Sequence, residues 1–151
     1  MEKINQALMQ TAPAVTLTTI TKDGYPRSRS MLNLRNVEQY PSLIKFFSGR
    51  DSHEFFFTTN LSSSKMEDIR YNSKAGVYFC DAGNWHGLTL TGDITIVEDR
   101  AIRLALWQPD WSIYYTGGVE STDYVILYFS ARVEETYYHL EKKVKTLYNT
   151  K

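Results

Sequence analysis

Cysteine is almost missing from this chain of 151 residues: Cys80 stands alone. One thiol excludes an intrachain disulfide and any metal site built from several thiolates. The three histidines, His53, His86 and His139, are scattered without ligand spacing, so no structural metal is expected. Net charge is missing as well. Lys and Arg total 17 and Asp and Glu total 17, and a chain without a basic surplus lacks the footprint of a nucleic-acid binder. The one local excess, Lys142, Lys143, Lys145 and Lys151 against Glu141, reads as a solvated face. No apolar run is long enough to span a bilayer and no leader-like segment opens the chain, so a cytoplasmic protein with no membrane partner is expected. No Gly-x-Gly-x-x-Gly follows a strand, which removes support for a dinucleotide fold. No nucleophile–base pair stands out either, so hydrolysis has no candidate and the catalytic residues are unknown.

Aromatics are abundant by contrast: 14% of residues, with 11 Tyr. Large amphipathic rings at that density line an interface, a pocket or both. The length suits one domain over residues 1–151 with a continuous core.

Periodicity divides the chain into short strands with single helices between them. Ile4, Ala7 and Leu8 share one face of a helix over 2–11, which Ala12-Pro13 ends. A β-branched strand over 14–21 and a return strand over 26–34 flank Asp23-Gly24, a tight-turn signal. Pro41 opens a helical insertion. A strand over 53–60, a helix over 63–71 stopped by Asn72 and a strand over 75–81 follow, with Cys80 expected as a buried, inert thiol. Residues 87–97 alternate strictly, and Gly92 within them predicts a bulge or bend. Asp99 caps a helix over 100–106, an aromatic loop runs from Trp107 to Gly118, and a strand covers 123–133. The tail reads two ways: Leu140, Val144 and Leu147 fit a helix, whereas Val144, Thr146 and Tyr148 fit a strand. This pattern predicts a mainly β protein, a closed or partly closed antiparallel barrel with a few helices.

Two segments carry chemistry. Ser62-Ser-Ser-Lys65 opens the 63–71 helix, where free backbone N–H groups and the helix dipole favour an anion. Three hydroxyls and an ammonium there suit a phosphate. Ser64 and Glu67 also fit a capping box, which would make the same residues a plain helix start. The return strand puts Arg27, Arg29, Met31 and Asn33 on one face. Two arginines on one strand face meet solvent or an anion.

Taken in order, Gly24-Tyr-Pro-Arg-Ser-Arg29, Thr58-Thr-Asn-Leu-Ser-Ser-Ser-Lys65, Val77-Tyr-Phe-Cys-Asp81, Thr91-Gly-Asp93, Val97-Glu-Asp99, Leu106-Trp107 and Tyr114-Tyr-Thr-Gly-Gly118 resemble the FMN-binding split-barrel family. Its best-known member is pyridoxamine 5′-phosphate oxidase, and the similarity is greater to the smaller general-stress branch. The resemblance implies an antiparallel Greek-key split barrel that forms a homodimer with FMN at the subunit interface. It implies that Arg29 holds the FMN phosphate, that Ser30, Met31 and Leu32 pass the ring and ribityl chain, and that Thr58, Thr59, Ser63, Ser64 and Lys65 complete the cradle. Trp107, with Trp111, Tyr114 and Tyr115, is expected to stack on the flavin, from the same or the partner subunit, or to pack a dimer interface.

Two departures bear on activity. Ser64 stands where the oxidases carry a second basic residue before the cradle lysine. The segment Ser130–Leu140 lacks their arginine- and histidine-containing grip on the substrate phosphate, which argues against pyridoxamine phosphate oxidation. The resemblance implies a flavin-dependent oxidoreductase of unknown small-molecule substrate with a nicotinamide electron donor. The alternative is a module that binds FMN, haem or a deazaflavin without turnover in a stress response.

Overall fold

β-Branched residues fill the first strand because their stiff side chains suit extended backbone. In the computed structural model, which describes residues 1–147, that strand is β1, Ala14–Ile20. It follows helix α1, Glu2–Thr11. Val15, Leu17 and Thr19 of β1 point inward, as a period of two requires. Gly24, at φ +88°, turns the chain into β2, Pro26–Leu32. β2 stops two residues before the expected position 34. Asn33 leaves the ladder, buried, to donate its amide to the carbonyls of Met9 and Ala12 at 2.9 Å each.

The remaining elements follow the expected order: α2 (Ile44–Phe47) after a single 3-10 turn at Pro41–Leu43, β3 (Glu54–Asn60), α3 (Ser64–Tyr71), β4 (Lys74–Asp81), β5 (His86–Val97) and α4 (Arg100–Leu106). Asp99 caps α4, accepting from the amides of Ala101 and Ile102. β6 runs from Tyr124 to Tyr138, five residues past the expected end, and returns as β7, Glu141–Thr146. The strand reading of the tail holds for Val144 and Thr146; Tyr148 and Lys151 lie outside the described residues.

Every pairing in the sheet is antiparallel, in the order β2-β1-β4-β5-β6-β3, with β7 added to the second half of β6. Thr91 pairs with Val133 but Gly92 with Ala131, so Arg132 is the extra residue of a bulge in β6. Gly92 is required there: a Cβ would lie 2.0 Å from the Ser130 carbonyl oxygen. The bend curls the sheet into a half-barrel until β2 and β3, its two ends, approach without pairing. That gap is the split of the barrel.

Alternation on β3 divides the apolar residues between two cores. Phe55 and Phe57 enter the barrel with Leu17, Val77, Phe79, Leu90 and Leu127. Phe56 faces the other way, into a cluster with Leu106, Trp111, Tyr115, Tyr124 and Ile126. Each such phenyl ring contributes about 1.5–3 kcal/mol on burial. On β4 the same alternation overturns one expectation. Val77 and Phe79 are fully buried, but Tyr78 and Cys80 lie on the open face, and Cys80 is exposed. One face of an antiparallel sheet is free to meet solvent, so an apolar run need not be buried throughout.

Candidate functional site

The split of the barrel gathers the charged residues. α3 lies against β1, and its start stands beside the end of β3. Ser63 is the N-cap: its Oγ accepts from the Lys65 amide at 3.4 Å and from the Lys65 ammonium at 2.7 Å. The ammonium also donates to Thr59 Oγ1 at 2.8 Å. The expected capping box is therefore displaced. With Ser63 as cap, the third helical residue is Met66, which offers no acceptor, and Ser64 and Glu67 are exposed. Ser62 turns to Asp123, whose carboxylate accepts from its amide at 3.2 Å.

Arg29 reaches the same region from β2. Its Nη1 donates to Thr19 Oγ1 at 2.8 Å and weakly to the Leu17 carbonyl at 3.4 Å. Its Nη2 lies 3.6 Å from Asp68 Oδ2, is buried, and has no hydrogen-bond acceptor among the described residues. A buried donor without an acceptor costs about 1–3 kcal/mol, so this nitrogen marks a place where an oxygen belongs. Arg27, more exposed, sits 3.8 Å from the same carboxylate oxygen.

Electrostatics single out the pair. Burial first, and then the positive charge of Arg29, hold the Lys65 ammonium below its ordinary pKa. Burial likewise lowers Arg29, opposed by Asp68 and reinforced by Arg27. Arg27, Arg29 and Lys65 are thus three cations with one close carboxylate, Asp68, among the described residues. An anion would lower the energy of all three.

The other expected site residues divide by strand face. Met31 shares the inward face of Arg29 and is buried, whereas Ser30 and Leu32 are exposed on the outer face. Thr59 faces Lys65; Thr58, one residue earlier, faces the second core and meets the Tyr115 hydroxyl. Trp107 lies in that second core, its ring centroid 5.0 Å from Tyr124 and 6.0 Å from Trp111. Trp111 and Tyr115 are buried beside it, and only Tyr114 of the four rings is exposed. The structure therefore brings Arg29, Thr59, Ser63 and Lys65 together and leaves Thr58 and Trp107 on the far side of β3.

Two site residues escaped the sequence reading. Asp68 of α3 is 3% exposed and accepts from Thr19 Oγ1 at 2.8 Å. Its spacing of i, i+3 from Lys65 and its position next to Ile69 were the available signal. Thr19 gave none, being one of several threonines in a β-branched run.

Comparison with known proteins bears on the family and the fold. A family model described as pyridoxamine 5′-phosphate oxidase matches residues 1–140. Among curated proteins, pyridoxine/pyridoxamine 5′-phosphate oxidase of Vibrio vulnificus is 32% identical over 100 residues, covering 66% of this chain. The chain spans 39% of the length of that relative in the match. Among solved structures, a protein related to general stress protein 26 from Clostridium acetobutylicum superposes with a TM-score of 0.78 at 29% identity, over 96% of this chain and 93% of the other. General stress protein 26 of Bacillus anthracis gives 0.71 at 16% identity, covering 97% and 100%. An FMN-binding protein related to pyridoxamine 5′-phosphate oxidase from Nostoc punctiforme gives 0.56 at 13%, covering 97% and 95%. No helix among the described residues is long and apolar enough to cross a membrane.

Proposed function

The chain belongs to the pyridoxamine 5′-phosphate oxidase family, and from that premise we propose that it binds FMN with the phosphate seated at Arg29, Thr59, Ser63 and Lys65. One observation carries this reading: among the described residues the buried Nη2 of Arg29 has no hydrogen-bond acceptor and the nearby Lys65 ammonium has no ion-paired carboxylate. A terminal phosphate supplies oxygens to both, and arginine and lysine are suited to it as planar fork and mobile point charge. The hydroxyls of Thr59 and Ser63 keep the Lys65 ammonium directed at the site. Ser30 and Leu32, on the open outer face, are available to the ring and to a second copy of the chain.

The flavin, when bound, supplies electron transfer, and the protein supplies position and electrostatics. The function proposed is a homodimeric FMN-dependent oxidoreductase acting on a small molecule, with a nicotinamide as electron donor. Oxidation of pyridoxamine phosphate itself is not proposed: along Ser130–Leu140 Arg132 is tied to Asp93 and His139 occupies the hairpin turn. Titrating the ligand-free protein with FMN and with riboflavin, followed by flavin fluorescence, tests the cofactor reading. FMN should bind more tightly by at least about ten- to a hundredfold, the worth of a single strong charge-assisted contact. Equal affinity for the two flavins refutes the cradle. Reduction of the bound flavin by nicotinamide donors in stopped flow then separates an oxidoreductase from a module that holds FMN without turnover.

A further inference from the structure

The carboxylate closest to the cradle does not face its ligand; it faces the arginines that would. Asp68 Oδ2 accepts the Thr19 hydroxyl at 2.8 Å and lies 3.6 Å from Arg29 Nη2 and 3.8 Å from Arg27 Nε. All three contacts converge on that one oxygen. Thr19 Oγ1 accepts in turn from Arg29 Nη1 at 2.8 Å. The hydroxyl proton is committed to Asp68, so a lone pair is left facing the guanidinium, and the rotor has one orientation that satisfies both neighbours. Asp68 and Thr19 are 3% and 0% exposed, so water does not compete for either bond.

We propose that Asp68 and Thr19 are positioning residues for the anion site: Asp68 fixes the Thr19 hydroxyl, and Thr19 fixes the plane of the Arg29 guanidinium so that Nη2 is presented to the ligand. This rests on the reading of the cradle given above. The chain of contacts explains why Nη2 is buried yet unsatisfied. Nη1 is taken by Thr19, and the Asp68 oxygen nearest Nη2 is engaged by Thr19 and stands beyond ordinary hydrogen-bond length. A guanidinium held in this way directs Nη2 along one fixed line for a charge-assisted contact to a phosphate oxygen.

Three substitutions separate positioning from charge and from simple packing. Asp68→Ala and Thr19→Val both free the guanidinium. Each should lower FMN affinity by about tenfold, one misaligned charge-assisted contact, while riboflavin affinity stays at the wild-type value. Removing the Asp68 charge by itself favours an anion, so a fall in Asp68→Ala reports lost orientation. Asp68→Asn can keep a carbonyl oxygen at the Oδ2 position and should bind FMN at least as tightly as wild type. In the ligand-free protein, the Arg29 Nε–Hε resonance should show reduced order in Asp68→Ala and Thr19→Val and wild-type order in Asp68→Asn. A tie that merely fastens α3 to β1 would lower thermal stability and shift both flavins by the same factor. The inference is overturned if Asp68→Ala and Thr19→Val keep the wild-type ratio of FMN to riboflavin affinity, or if Asp68→Asn falls with Asp68→Ala. Absence of an FMN preference in the wild type instead removes the cofactor reading, and this inference with it.

Discussion

Replacing Lys65 by alanine removes one cation from the split of the barrel and leaves the N-cap hydroxyl of Ser63 in place. The ammonium donates to Thr59 and Ser63 at 2.8 and 2.7 Å; Ser63 Oγ keeps the backbone amide of residue 65, whereas Thr59, 5% exposed, loses its donor. Against that loss stands a gain. Lys65 is held below its ordinary value by burial and by Arg29, so deleting it relieves repulsion in the ligand-free protein. The two oppose each other, and the loss of stability without flavin should stay within that of an average point substitution, about 1 kcal/mol, in thermal unfolding. Binding behaves differently. A charge-assisted contact to phosphate is worth about 1.5–3 kcal/mol, hence roughly ten- to a hundredfold in FMN affinity. Riboflavin, lacking the phosphate, should bind wild type and variant alike. The sign of the pH dependence follows from the lowered pKa. Between the depressed value and the ordinary 10.5, the unfolded chain holds a proton that the folded, ligand-free chain has released. Stability of the ligand-free wild type therefore rises with pH across that window. FMN affinity falls across it, because the phosphate favours the charged ammonium; Lys65→Ala should lose both trends. Fluorescence titration at several pH values and thermal melts are the assays. Lys65→Ala with unaltered FMN affinity, or with FMN and riboflavin weakened equally, refutes the assignment.

Gly92→Ala places a methyl group against the Ser130 backbone at the β6 bulge, so urea unfolding should show a loss of about 1–3 kcal/mol or more; wild-type stability would mean that the bulge is not as described. Arg35 donates to the carbonyls of Glu54 at 2.8 Å and Asp51 at 2.6 Å and lies over the Phe47 ring at 4.4 Å, burial lowering its pKa to about 10. Arg35→Lys keeps the charge but not the fork or the stacking, and should still cost on the order of 2 kcal/mol in thermal or chemical unfolding; a silent substitution would show that these contacts do not hold the loop before β3.

The strands were legible because the chain states them in more than one way. β5 alternates along its length, and Gly92 within it stands where the β6 bulge forces a close approach. α4 announces itself through Asp99. The β6–β7 hairpin was not legible, for a definable reason. Its turn puts His139 and Leu140 at φ +48° and +67°, a conformation normally signalled by Asn and Gly. With no such signal, the end of β6 and the nature of the tail stayed open. Here the cross-strand register of Val133 to Tyr138 with Thr146 to Glu141 overrides local preference.

The site was legible in a similarly uneven way. Ser63 and Lys65 could be named because hydroxyls and an ammonium at a helix start suit a phosphate, and Arg29 through the family resemblance. Their convergence could not be read, since it depends on the barrel failing to close between β2 and β3. Closure would satisfy the facing strand edges with each other. Leaving the split open lets the β2 residue Arg29 and the α3 residues Lys65 and Asp68 share one space, with one carboxylate for three cations. The pair Thr58 and Thr59 shows the limit of motif matching. A strand turns successive side chains to opposite faces, so only Thr59 can meet Lys65, while Thr58 is turned to Tyr115 and the second core. Trp107 is separated from Lys65 of its own chain by β3 and packs in the second core against Tyr124.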